Sequence, residues 1–152
     1  MAKYELSINR IINATPEKIW QAWTKAEILE LWFCPKPWHV KVHELDVRVG
    51  GASRMTMYGP NAEEFPNDGV YLAVEPNKRL VFTDAFTKDW MPSARAFFVG
   101  EILLEDLGNG TTKYIATARH WTEEAMKEHE QMGFHEGWNI CATQMEEIIQ
   151  DL

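Results

Sequence analysis

The residues able to do chemistry in this chain are few. Asp84 stands in LVFTDAF (80–86), where alternation groups it with Leu80, Phe82 and Phe86. If that face looks inward, the carboxylate sits in apolar surroundings, its pKa rises, and it becomes fit for proton transfer. Arg54 shares a strand face with Thr56 and Tyr58 and would anchor an anionic or carbonyl-bearing group. His120, with Tyr114, Ala116 and Ala118 on its face, is a third candidate for acid–base work. The competing expectation puts Asp84 and Arg54 at strand ends or on the solvated face. Catalytic roles therefore stay unassigned, and the reading leans away from an enzyme.

Metal and nucleophile chemistry find less support. His39 and His43 are four apart on an extended segment, which gives them one face only if no bulge intervenes. In HEQMGFH, His129 and His135 are six apart. On a continuous helix that is about 240° of rotation, so they would not share a face. No HExxH, CxxC, GxSxG or phosphate-cradling glycine loop occurs. No metal and no cofactor is expected, and the histidines read as surface or pocket-rim residues. Cys34 precedes Pro35, and Cys141 falls on an apolar helical stripe, where a thiol is usually inert.

The 152 residues are enough for one domain with a real core, expected to span 1–152. Hydrophobics at 45% and charged residues at 25% place the chain among folded proteins. No apolar run approaches the roughly 20 residues of a membrane span, and no apolar signal core is visible at the N-terminus. With two unpaired cysteines, a cytoplasmic location is the expectation. A net charge of −8 would be repelled by a phosphate backbone, so nucleic acid is excluded as a partner. Seven tryptophans supply aromatic surface for a core or an apolar pocket.

The elements that must position these residues follow from periodicity. YELSINRII (4–12) reads as a strand with an irregularity near Asn9 and Arg10. ATPEKIWQAWT opens a helix at Thr15 and Pro16, and AEILELWF (26–33) forms a second short helix stopped by Pro35. Six strands follow, at 39–49, 52–59, 69–77, 79–87, 94–106 and 111–121, with a bulge near Glu44. Thr122 starts the last helical region. There, Phe134, Trp138, Cys141, Met145, Ile148 and Leu152 recur at spacings of three and four as one stripe. Strands in a run followed by a helix mean α+β with an antiparallel sheet. The long helix must bury its stripe, and the concave side of a curved sheet is its natural partner.

MGFHEGW (132–138) holds two glycines where that helix begins. Gly133 and Gly137 would let backbone or ligand approach, with Phe134 and Trp138 pointing into a cavity. Alternatively Gly133 only divides the region into two helices, and Gly137 permits tight helix–sheet packing.

Four segments in this order carry a resemblance: ATPEKIWQAWTKAEILELWFCP (14–35), ELDVRVGGASRMTMYGP (44–60), GVYLAVEPNKRLVFTDAF (69–86) and MGFHEGWNICATQMEEI (132–148). The chain resembles the START-like, or SRPBCC, superfamily, and within it the branch named for homologues of the activator of the Hsp90 ATPase. The resemblance implies a helix-grip fold: a curved antiparallel sheet wrapped around a long C-terminal helix, with two short helices after the first strand. It implies a hydrophobic cavity between sheet and helix, with Trp32 and Phe33 near its mouth. Tyr71, Phe82, Phe98, Phe134 and Trp138 are the candidates for its wall. Strand parity groups Phe98 with Gly100, Ile102 and Leu104, and opposes Phe97 and Val99, without saying which set faces in.

Three readings follow. The first is binding of a small apolar or amphipathic molecule. The second is a small enzyme of cyclase, aromatase or lyase type using Asp84, Arg54 and His120 in the same cavity. The third is a chaperone-interacting module, weakened because only the C-terminal domain of the full activators resembles this chain. The side chains alone would also fill the cavity in a plainly packed domain. Apolar surface around Trp38 and Trp90-Met91-Pro92 would support a homodimer.

Overall fold

Alternation decides the first strand. In β1 (Glu5–Ile12), Leu6, Ile8 and Ile12 are buried, while Ile11 is exposed. The computed structural model describes residues 4–152. Its β1 pairs with β9 (Thr111–His120) without a break, from Glu5 opposite Arg119 to Ile12 opposite Thr112. The irregularity expected near Asn9 and Arg10 is absent; Ile11 simply continues the alternation outward.

Helix α1 (Pro16–Thr24) starts where the sequence places it. The Thr15 side chain accepts from the Lys18 amide, and Pro16 occupies the first turn. Its buried face carries Ile19, Ala22 and Trp23. Helix α2 is shorter than expected, one turn over Ala26–Leu29, and residues 30–33 leave it through turns rather than running on to Pro35.

The strands β2 (His39–Leu45), β3 (Ala52–Tyr58), β4 (Glu64–Glu75), β5 (Arg79–Thr83) and β8 (Phe98–Gly108) complete a seven-stranded antiparallel sheet. Its order is β1-β9-β8-β5-β4-β3-β2. The β2–β3 register shifts between Val42 and Glu44, so a bulge at His43 separates that residue from the face of His39. Three boundaries of the unbroken strands move by four residues or more. β2 stops at Leu45 instead of 49, β4 begins at Glu64 instead of 69, and β8 begins at Phe98 instead of 94. The predicted strand 79–87 is two pieces. It leaves the sheet after Thr83, and Phe86–Thr87 (β6) pairs with Met91–Pro92 (β7) as a separate small hairpin.

Register aligns one transverse row on the inner face: Leu6, Ala118, Gly100, Phe82 and Tyr71, each opposite the next. Phe98, Gly100, Ile102 and Leu104 share the inward parity; Ile102 is 1% exposed and Leu104 is 7%. Over this face lie α3 (Glu123–Gln131) and α4 (Phe134–Ile149). Phe134, Ala142, Met145 and Ile149 of α4 enter the same core as Leu6, Ile8, Ile12 and Ala118. Leu152 is 48% exposed and lies beyond the helix, so the buried stripe ends at Ile149 rather than at the last residue.

Polar side chains fasten α4 at both sides. Arg10 Nη1 donates to the Asn139 carbonyl and the Thr143 hydroxyl, each at 3.1 Å, while Nη2 meets Glu146 at 3.4 Å. Gln144 Nε2 donates to the carbonyls of Trp32 (3.0 Å) and Cys34 (2.8 Å), and its oxygen accepts from the Lys36 amide. Gln144 thus ties the segment bearing Trp32 and Phe33 to α4.

Candidate functional site

An unbroken chain of aromatic rings crosses the space between sheet and α4. Trp23 lies 5.0 Å from Trp32, 5.8 Å from Phe33 and 5.7 Å from Phe82, between ring centres. Phe82 is 6.2 Å from Phe98, and Phe98 is 6.4 Å from Trp138. Trp138 ends the chain 4.7 Å from Phe134. Most contacts are edge-to-face, the favoured geometry for ring quadrupoles. The indole nitrogens at the near end are satisfied: Trp23 donates to the Tyr114 hydroxyl at 3.1 Å, and Trp32 to the Ala22 carbonyl at 3.0 Å.

Six of the seven predicted ligand-binding residues, the mouth residues Trp32 and Phe33 among them, are therefore one assembly. Tyr71, the seventh, is 3% exposed and sits beside Phe82 in the transverse row. Burial pushes its phenol up to about 12, so it stays protonated. Phe82 fits where it does because residue 100 is glycine. A Cβ there would lie 2.4 Å from Phe82 Cε2.

Histidines occupy the far end. His120 Nε2 and His129 Nδ1 are 2.9 Å apart, and both rings are buried. His120 Nδ1 lies 3.0 Å from the Tyr4 carbonyl. A carbonyl only accepts, so His120 Nδ1 carries the hydrogen. In the neutral ring His120 Nε2 is then a lone pair, and His129 Nδ1 donates to it. His129 Nε2 is left as a lone pair. Burial, with His120 beside it, holds the His129 pKa down at about 4, so the ring is neutral at pH 7. The His129 ring is enclosed by Phe97 (5.0 Å), Phe98 (5.4 Å), Phe134 (5.1 Å) and Trp138 (6.3 Å).

The other acid–base candidates lie elsewhere. Asp84 is at the strand end, where its Oδ1 accepts from the Phe97 amide at 2.8 Å and the Phe98 amide at 3.2 Å. Its carboxylate anchors the start of β8 and turns the chain out of β5. Arg54 is on the solvated face, paired with Glu44 at 3.5 Å with 47% of its side chain exposed. Of the three, only His120 joins the aromatic cluster. His43 bonds Thr56 at 2.9 Å, and His39 stacks on Tyr58. Cys141 donates to the Phe33 carbonyl, and burial raises its thiol to about 12 and that of Cys34 to about 11.

Trp23, Phe97 and His129 belong to the cluster without having been expected there. For His129 the signal is faint. Met126, three residues earlier on an otherwise charged helix, also packs on the core. Two surface depressions lie apart from the rings. One, of about 450 Å³, is lined by Glu30, His39, Val40, Lys41 and Tyr58; the other, of about 370 Å³, lies on the outer side of α4.

The family model described as "Activator of Hsp90 ATPase homolog 1-like protein" matches residues 13–150. A crystal structure from Nitrosomonas europaea is 36% identical, covers 99% of this chain and 97% of its own, and superposes with a TM-score of 0.93. One from Mycobacterium smegmatis is 22% identical, covering 95% and 90%, with a TM-score of 0.80. A solution structure from Arthrobacter aurescens is 22% identical, covering 98% and 87%, with a TM-score of 0.84. The last two show the fold alone. No curated protein matches the sequence. The chain belongs to the Activator of Hsp90 ATPase homolog 1-like family and has its SRPBCC-type helix-grip fold.

Proposed function

We propose, with that membership as premise, that the chain binds a small apolar or amphipathic molecule among the rings between the sheet and α4. The observation that carries this is a mismatch of burial. Trp32 and Phe134 are each 2% exposed, yet Phe33, Phe82, Phe98 and Trp138 in the same chain of rings are only half-buried. Apolar surface left accessible beside a complete core is what a ligand would cover, at roughly 25 cal/mol per Å² removed from water. The wall would be Trp32, Phe33, Tyr71, Phe82, Phe98, Phe134 and Trp138.

Binding without turnover fits better than the cyclase-like alternative. Asp84 spends one carboxylate oxygen on two backbone amides, and Arg54 faces solvent. Native mass spectrometry of gently purified protein tests the reading. The expected result is an additional small mass that leaves on denaturation. A bare mass that stays bare after incubation with excess 1-naphthol would overturn it.

A further inference from the structure

β2 is an outermost strand of the sheet and pairs only with β3. One bond shows which of its backbone groups face outward from that edge. The Val42 amide donates to Glu30 Oε2 at 2.7 Å, so it points away from β3. Successive residues of an antiparallel strand turn their backbone groups to opposite sides. The Val40 N–H and C=O therefore also point away from β3, while His39 and Lys41 turn theirs toward Tyr58 and Thr56. Among the described residues nothing hydrogen-bonds the Val40 N–H or C=O. The depression of about 450 Å³ lies along this stretch, with Glu30, His39, Val40, Lys41 and Tyr58 as its lining. A free donor and acceptor on a strand edge, with open space beside them, form a template for one more strand.

The side chains say what kind of strand. Val40 faces inward and is 4% exposed, so His39 and Lys41 share the outer face, and both are exposed. The His39 ring stacks on Tyr58 at 5.2 Å and 19°, a flat platform beside Lys41. Lys41 makes no ion pair with a described residue. The carboxylate in the lining, Glu30, has one oxygen committed to the Val42 amide, where it closes the open stretch. A second copy pairing β2 with β2 about Val40 would set Lys41 against a histidine and give it no carboxylate. We infer that the edge of β2 from His39 to Lys41 docks an extended acidic segment of another protein, with main-chain bonds to Val40 and a carboxylate on Lys41. This surface is separate from the rings and does not depend on the binding reading above. Because Glu30 keeps the open stretch short, the contact is a weak and transient one.

The test uses a short blocked peptide of alternating glutamate and valine, and its counterpart with lysine in place of glutamate. Each is titrated into the ¹⁵N-labelled chain and into Lys41→Glu. The glutamate peptide is expected to shift the Val40 amide saturably and to slow its hydrogen exchange. Lys41→Glu is expected to weaken that peptide about fivefold and to turn the preference toward the lysine peptide. The exchange readout on the unmodified chain stands whether or not the variant folds. Raising the salt concentration tenfold should weaken the glutamate peptide there as well. Three results overturn the inference: no shift of the amides of residues 39–42 with the glutamate peptide, binding that leaves Val40 exchange unchanged, or equal binding of the glutamate peptide by Lys41→Glu.

Discussion

At the scale of single residues, the histidine pair and Gly100 carry the sharpest consequences. The unfolded chain protonates His129 near 6.5, and the folded chain near 4. The unfolded state binds the proton first, so stability is complete above pH 6.5 and falls as pH drops through that window. Below about 4 both states hold the proton and this residue adds no further loss. Thermal unfolding between pH 7 and 4 is expected to show a shallower decline for His129→Phe than for the unmodified chain; parallel curves would contradict the assignment. Gly100→Ala drives a methyl to within 2.4 Å of the Phe82 ring. It is expected to cost about 1–3 kcal/mol in urea unfolding, the usual range for overpacking. Residue chemistry was only partly legible in the sequence. The face of His120, Tyr114, Ala116 and Ala118 is inward as alternation groups it, because β9 is regular throughout. Asp84 deceives the same rule, because alternation has no means of knowing that the strand ends at Thr83 and that two amides of β8 claim the carboxylate.

At the scale of elements, the glycines of MGFHEGW divide their roles. Gly133 takes φ +90° and caps α4, which separates it from α3; it does what the plainer reading expects. Gly137 meets nothing within 4 Å of an added Cβ. It therefore permits neither tight helix–sheet packing nor any close approach the structure shows. Gly137→Ala should stabilise the chain by about 0.5–1 kcal/mol through helix propensity alone. Loss of stability in chemical denaturation would show an undetected neighbour at that position. The break at Gly133 also explains why His129 escaped notice. Counting six residues along one helix separates it from His135, but the two lie on different helices, and α3 turns His129 toward β9. Caps at Thr15 and Thr122 were legible because their chemistry is local. The early start of β4 was not, because Glu64, Phe65 and Pro66 enter a strand through pairing with β3 and not through their own pattern.

At the scale of the whole molecule, element order was enough for the fold, since one strand, two short helices, a run of strands and a long helix admit few arrangements. What order could not give is closure of the rings on one another, which depends on Gly100, on Gln144 holding the Trp32–Cys34 segment, and on Arg10 holding α4. Among the described residues no helix is long and apolar enough to cross a membrane. On the outside, Phe65 (52%), Trp90 (47%) and Met91 (59%) are exposed, with Trp38 stacked on Phe65. We propose the apolar residues around Trp38 and around Trp90-Met91-Pro92 as the seat of a second copy, for which light scattering should give twice the 17.6 kDa chain mass; a monomer mass at high concentration would remove it. The binding site itself is tested most directly by following the tryptophan indole N–H signals in NMR while p-xylene is added. Binding among the rings predicts saturable shifts of Trp23, Trp32 and Trp138, with Trp90 and Trp121 unmoved. Signals that all stay fixed up to the solubility of the probe, or shifts confined to Trp90 and Trp121, would contradict it.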